Sequence, residues 1–192
     1  MSTPIKWGEE FLVNTTTQFE QYAPTMASLA DGRFVVAFTD FSQSGGDSSG
    51  DAVRAQIFNA DGTKSGPEFL VNSTTSAFQT NPVITGLSDG RFVVAFEDDS
   101  QSGGDTSGSA IRAQIFNADG TKSGTEFLVN TTVSNQQLDP QITALADGKF
   151  VVTYRDLSQS GADTFDSAVR AQVFNADGTK SGTEFLVNTT IA

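Results

Sequence analysis

The stretch RFVVAFED (91–98) is apolar at consecutive positions. Phe92, Val94 and Phe96 fall on one pleat face, and Val93 and Ala95 on the other. Before it, PVITGL (82–87) alternates and ends in the turn SDG. After it come AIRAQIF (110–116), the tight-turn signal NADG (117–120) and a further run, TEFLVNTT (125–132). Helical periodicity is absent throughout, so the pattern predicts an all-β chain built from four-stranded antiparallel units.

The unit repeats. EFLVN begins at Glu10, Glu68, Glu126 and Glu184, always 58 residues apart. The expected organisation is an N-terminal lead (1–8), repeats 9–66, 67–124 and 125–182, and a partial fourth repeat (183–192) that supplies a final strand. A strand apolar on both faces must be covered on both, and four-stranded sheets meet that need by stacking in series. The order P-x-x-x-x-L-x-D-G-x-F-V-V, loop, strand, ADG, strand resembles β-propeller blades of large bacterial surface and secreted proteins, including those with hemolysin-type calcium-binding repeats. The resemblance implies innermost strands starting near Pro24, Pro82 and Pro140. Three blades are too few to close a ring. Two chains pairing as a homodimer into a six-bladed ring, a longer array, or a β-trefoil-like threefold fold remain open. The 58-residue unit and the FVVAF strand favour blades over the trefoil.

After the second strand each copy carries an acidic Gly/Ser loop: Asp40 to Asp47, Asp98 to Asp105 and Asp156 to Asp163. Oxygens at positions 1, 3, 5 and 8 suit a hard cation. The candidate calcium ligands are therefore Asp40, Ser42, Ser44 and Asp47; Asp98, Ser100, Ser102 and Asp105; Asp156, Ser158, Ser160 and Asp163. The pattern resembles the calcium loops of integrin-type blades, although Ser stands where Asp or Asn is usual. Any such site is expected to be weak, about 10⁻⁴ to 10⁻³ M. Glu97 and Asp99 should strengthen the second loop, and Arg155 should weaken the third. The alternative is an ordinary solvated loop whose Asp and Ser cap their own backbone.

Arg54, Arg112 and Arg170 share RAQ with Gln56, Gln114 and Gln172, giving a polar stripe on one strand face. Its expected role is a salt bridge between strands or blades, with a loop Asp as one candidate partner and a ligand-holding row as the other reading. Lys64, Lys122 and Lys180 are expected to be solvated at turn ends. Asn14, Asn72, Asn130 and Asn188 sit in N-x-T sequons, read as strand-end chemistry.

Composition narrows function. Acidic residues outnumber basic ones 23 to 11, a net charge of −12, which disfavours nucleic acid and anionic membranes as partners. There is no Cys and no His, so the commonest nucleophiles, bases and transition-metal ligands are missing. No apolar run is long enough to span a bilayer, and MSTPIKWGEE lacks the apolar centre of a secretory signal. Trp7 and two tyrosines offer few aromatic platforms for sugars. The resulting expectation is a non-enzymatic structural or adhesive module of an extracellular or cell-surface bacterial protein, meeting a glycan or cell-surface ligand. A lectin-like carbohydrate-binding module with one site per repeat is the alternative. A carboxylate-based glycosidase is disfavoured because a single active site should break the repeat symmetry.

Overall fold

A computed structural model describes residues 8–189. Most of the lead, including Trp7, and the last three residues of the partial repeat lie outside the described residues. The described residues form twelve strands: β1 (Gln21–Ser28), β2 (Phe34–Asp40), β3 (Ala52–Phe58), β4 (Phe69–Leu70), β5 (Gln79–Gly86), β6 (Phe92–Asp98), β7 (Ala110–Phe116), β8 (Phe127–Leu128), β9 (Gln137–Ala144), β10 (Phe150–Asp156), β11 (Ala168–Phe174) and β12 (Phe185–Leu186). They make three separate antiparallel sheets in the orders β1-β2-β3-β4, β5-β6-β7-β8 and β9-β10-β11-β12. Separate four-stranded sheets are β-propeller-type blades and exclude the trefoil alternative.

Blade limits are offset from the repeat limits. Phe69–Leu70 opens the second copy in sequence but pairs with Arg54 and Ala55, closing the first sheet. The fourth EFLVN does the same for the third sheet through Phe185 and Leu186. Each sheet therefore ends on a strand from the following copy, so consecutive copies are joined through the sheet itself.

The doubly apolar second strands explain the stacking. Val35, Ala37, Val53, Ala55, Ile57 and Val71, on one face of the first blade, share a core with Ile84, Phe92, Val94, Phe96 and Phe116 of the second. Val93, Ala95, Ile111, Ala113, Ile115 and Val129 then meet Phe150, Val152, Tyr154 and Phe174 of the third. We call these the trailing and leading faces of a blade. Phe92 stacks on Phe116, and Phe150 on Phe174, with centroids 5.2 Å apart. Between blades, Glu126 Oε2 accepts from Ser73 N at 2.6 Å, and Lys122 Nζ donates to the Asn72 carbonyl at 3.1 Å. The lysines expected to be solvated thus reach back, within their own copy, to the segment that follows the closing strand of the preceding blade.

The innermost strands β1, β5 and β9 lie side by side. Each carries a bulge just before or at its proline, marked by a register shift. Proline has no N–H to give a ladder, so an inner edge strand with a bulge tolerates it. Ala23, Asn81 and Asp139 hold the three equivalent bulge positions, with φ of 49°, 51° and 55°. Asn and Asp adopt this left-handed backbone more readily than Ala.

Exposure at one strand position shows how much stability the stacking carries. Ile84 is 8% exposed between blades, whereas its counterpart Met26 is 68% exposed. We expect Ile84→Ala to cost about 2–5 kcal/mol and Met26→Ala less than about 0.5 kcal/mol, measured by urea unfolding. Equal losses would mean that blade stacking is not what stabilises the sheets.

Candidate functional site

The acidic loops are built around an arginine. In the antiparallel register Arg54 faces Phe38 on β2, two residues from Asp40. Its Nε meets Asp40 Oδ2 at 2.7 Å, its Nη2 donates to the Ser44 carbonyl, and Nη1 lies 3.5 Å from Glu68 Oε1. Asp40 also accepts from Gln21 Nε2 at 2.9 Å and from Ser42 Oγ at 2.6 Å, and Ser42 Oγ is 2.8 Å from Ser44 Oγ. A Cβ at Gly45 would collide with the guanidinium, which is why glycine stands there. Arg112 with Asp98, Ser100 and Ser102 repeats the arrangement, as does Arg170 with Asp156, Ser158 and Ser160. Burial opposes ionisation of Asp156, yet bonds from Ser158, Gln137 and Arg170 hold its carboxyl below the ordinary value.

The remaining predicted ligands point elsewhere. Asp47 Oδ2 accepts from Asn72 Nδ2 at 2.8 Å, and Asp105 and Asp163 do the same from Asn130 and Asn188. Asn72 also bonds Val53 N and Gln79, so it ties one blade's loop and third strand to the next blade's first strand. Positions 1, 3 and 5 of each loop thus surround a guanidinium, and position 8 anchors the blade junction. Among the described residues no group of three or more carboxylates, His or Cys is arranged to hold a metal ion. The salt-bridge reading of the RAQ arginines is what the structure has, while Gln56 donates to its own strand's Ile57 carbonyl and to that of Gly66.

Function is better sought where the copies differ. Near the first junction, Glu20, Tyr22, Phe41, Asp51 and Phe78 line an open cleft of about 330 Å³. Tyr22, Phe41 and Phe78 are exposed, and Phe19 meets Phe41 edge-on at 6.0 Å. Tyr22 donates its hydroxyl to Asp51 Oδ2 at 2.8 Å; partial burial and Asp51 both push its pKa up. The positions of Tyr22, Phe41 and Phe78 hold Thr80, Asp99 and Gln136 one copy later. This aromatic surface was not read from the sequence, where the Phe residues pass as core. The signal that would have found it is the set of non-matching columns among the three copies.

A second break lies along the inner strands. Ala23, Pro24 and Thr25, Asn81, Pro82 and Val83, and Asp139, Pro140 and Gln141 together line a groove of about 350 Å³. Behind it Glu97, nearly buried, accepts from Asp139 N at 2.7 Å and from Asn81 Nδ2 at 3.1 Å. Asp139 pairs through Oδ2 with Arg155 Nε at 3.0 Å. Burial pushes the Glu97 carboxyl above the ordinary value, more than these two donors lower it. Glu97 and Arg155 were conspicuous in sequence only as loop neighbours. Their counterpart in the first copy is Thr39.

No protein-family model matches the sequence, and no curated protein matches it. Solved structures do resemble the fold. An endo-arabinase from Bacteroides thetaiotaomicron VPI-5482 superposes with a TM-score of 0.54 at 16% identity, covering 93% of this chain and 66% of that one. A protein of unknown function from Dyadobacter fermentans DSM 18053 gives 0.60 at 11% identity, covering 88% and 55%. A thermostable family-43 glycoside hydrolase gives 0.53 at 10% identity, covering 92% and 61%. The chain therefore spans between half and two thirds of these solved chains. At such identities the likeness shows the fold, β-propeller blades, and the resemblance to hemolysin-type calcium-binding proteins does not extend beyond the blade. It also corrects the expected function. The same blades recur in an arabinofuranosidase and a xylanase, which overturns both the non-enzymatic structural or adhesive reading and the expectation that the chain is not an enzyme.

The arginine clamp gives a direct test of the calcium loops. A site of about 10⁻³ M would stabilise the fold by about 1.4 kcal/mol at tenfold excess of calcium, a rise of several degrees in Tm. We expect no rise by calorimetry, since calcium must displace a paired guanidinium; a rise of that size would put the ion in the loops. Arg112→Met should cost about 3–5 kcal/mol because Asp98 is left buried without its partner.

Proposed function

We propose that this chain is a carbohydrate-directed β-propeller module of an extracellular protein, and that it binds glycan in the acidic aromatic cleft around Tyr22. The observation that carries this reading is the cleft itself, where three exposed aromatic side chains stand beside the Glu20 and Asp51 carboxylates. Aromatic faces stack on the apolar faces of sugar rings, and carboxylates accept from hydroxyls. Arabinan- and xylan-type chains are the first candidates, from the named activities of the structural neighbours. The aromatic set occurs at one junction, so the proposal is one site per chain rather than one per repeat.

Titration calorimetry with arabino- and xylo-oligosaccharides tests it. Tyr22→Ala and Phe78→Ala should each weaken binding about tenfold, or about 1.4 kcal/mol. Phe165→Ala, exposed on the third blade's loop, should leave it unchanged. Wild-type affinity in both cleft variants would remove the cleft from consideration.

Glu97 favours a second reading, hydrolysis of a glycosidic bond at the inner-strand groove. A carboxyl with a raised pKa suits a general acid, and Asp139 offers a second carboxylate beside it. Glu97 would protonate the leaving oxygen as the glycosidic bond breaks, while water bonds to the anomeric carbon and gives its proton to Asp139. Turnover of aryl pentosides should then fall as pH rises through the Glu97 pKa, above the ordinary 4.5, and Glu97→Gln should abolish it. Turnover that survives this substitution would exclude Glu97 as the acid.

A further inference from the structure

Each blade interface in this molecule is a trailing face meeting a leading face, and one of each is left over. Val53 and Ile111 are 0% exposed on the first two trailing faces, but their counterpart Val169 is 43% exposed. Val71 and Val129 are likewise fully covered, whereas Val187 is 47% exposed. On the leading side, Pro82 and Pro140 are buried and Pro24 is exposed, in line with the exposure of Met26. The open trailing face of the third blade repeats the apolar set that the second blade covers on the first: Val151, Val169, Ala171, Val173 and Val187 stand for Val35, Val53, Ala55, Ile57 and Val71. One departure is Thr153, which stands for Ala37.

The open leading face is not bare. Phe11 packs on Phe58 at 5.2 Å, as Phe69 packs on Phe116 at 5.3 Å and Phe127 on Phe174 at 5.4 Å. Glycine supports each contact: a Cβ at Gly62 would lie 2.9 Å from Phe11, and one at Gly120 or Gly178 would lie 3.0 Å from Phe69 or Phe127. Asn14 donates to Gln21 as Asn72 does to Gln79, and Thr15 N donates to Glu68 as Ser73 N does to Glu126. Residues 10–15 therefore occupy, on the first blade, the place that the closing strand of a preceding blade takes on the others. They fill it poorly. Phe11 is 48% exposed, and Phe11, Leu12, Tyr22, Pro24 and Phe38 border a gap of about 270 Å³. At the far end Phe185, also 48% exposed, holds the equivalent place in the third sheet.

We propose that two copies of this chain dock head to tail, the third blade of each on the first blade of the other, closing a six-bladed ring. Residues 184–188 of one copy then take the place of residues 10–14 on the other, so the N-terminal segment is a removable cap on the interface. A heterologous contact of this kind closes a ring when its rotation permits and otherwise builds open filaments. The occupant is a second copy because the two faces are near repeats of the pair that already meet twice within the chain. Docking would bring a second set of inner strands to the groove behind which Glu97 lies, whether or not that groove acts on sugars.

Sedimentation of the full chain over a wide concentration range tests this, with folding checked by circular dichroism. We expect a monomer–dimer equilibrium, shifted about tenfold toward dimer by Phe11→Ala, which loosens the cap. Val169→Glu blocks the trailing face and Met26→Glu the leading face, both at exposed positions. Each should sediment as a monomer, and the two mixed should pair through their one intact interface. A monomer at every concentration in Phe11→Ala, a dimer indifferent to Val169→Glu, or an open-ended series of larger species would each overturn the ring.

Discussion

The constraint on which the molecule depends is that the second strand of each sheet is apolar on both sides. Val93 and Phe92 are neighbours in sequence and both are fully buried, one toward the third blade and one toward the first. A sheet of this kind offers two apolar faces, and only the middle blade has both covered by neighbours within the chain. Stacking supplies the missing cover, and polar groups then define the stacking geometry. Glu126, Lys122 and Asn72 each bond across a junction, so the apolar contact is oriented by hydrogen bonds at its rim.

Charge is handled within the same scheme. The arginine of each RAQ segment reaches into an acidic loop and meets two carboxylates. In the third blade Tyr154 replaces the phenylalanine of the other copies and donates to Glu184. Burial opposes ionisation of Glu184, but bonds from Tyr154 and Thr131 N, with Arg170 nearby, hold its carboxyl below the ordinary value. Such a group contributes stability above its unfolded pKa, and that contribution is lost as pH falls through the folded value.

The strands, their order and the blade architecture were readable because pleat alternation and the 58-residue period are local signals. The loops show why the site was harder. Oxygen spacing from Asp40 to Asp47 fits a cation, and only the β2–β3 register reveals that the Arg54 guanidinium, fourteen residues downstream, lies among those oxygens. The bulges at Ala23, Asn81 and Asp139 carry no glycine, so the left-handed backbone there is marked only by Asn and Asp in two copies and not by the Ala of the first. The aromatic cleft joins residues from three segments, 20–22, 41–51 and 78, that only the blade junction brings together. The contrast among copies is legible in the sequence: Tyr22, Phe41 and Phe78 of the cleft, and Glu97 and Asp139 behind the groove, all stand in columns that differ between copies.

The sequon asparagines carry a consequence for how the protein is made. Asn72 and Asn130 are fully enclosed, and the nitrogen that would bear a glycan is the one that donates to Asp47 or Asp105 and to the next blade's glutamine. A sugar attached there removes a donor and has no room to leave the junction. In a secretory pathway that glycosylates nascent chains, modification would precede folding and hold adjacent blades apart. A glycan on either asparagine would therefore oppose the stacking of adjacent blades.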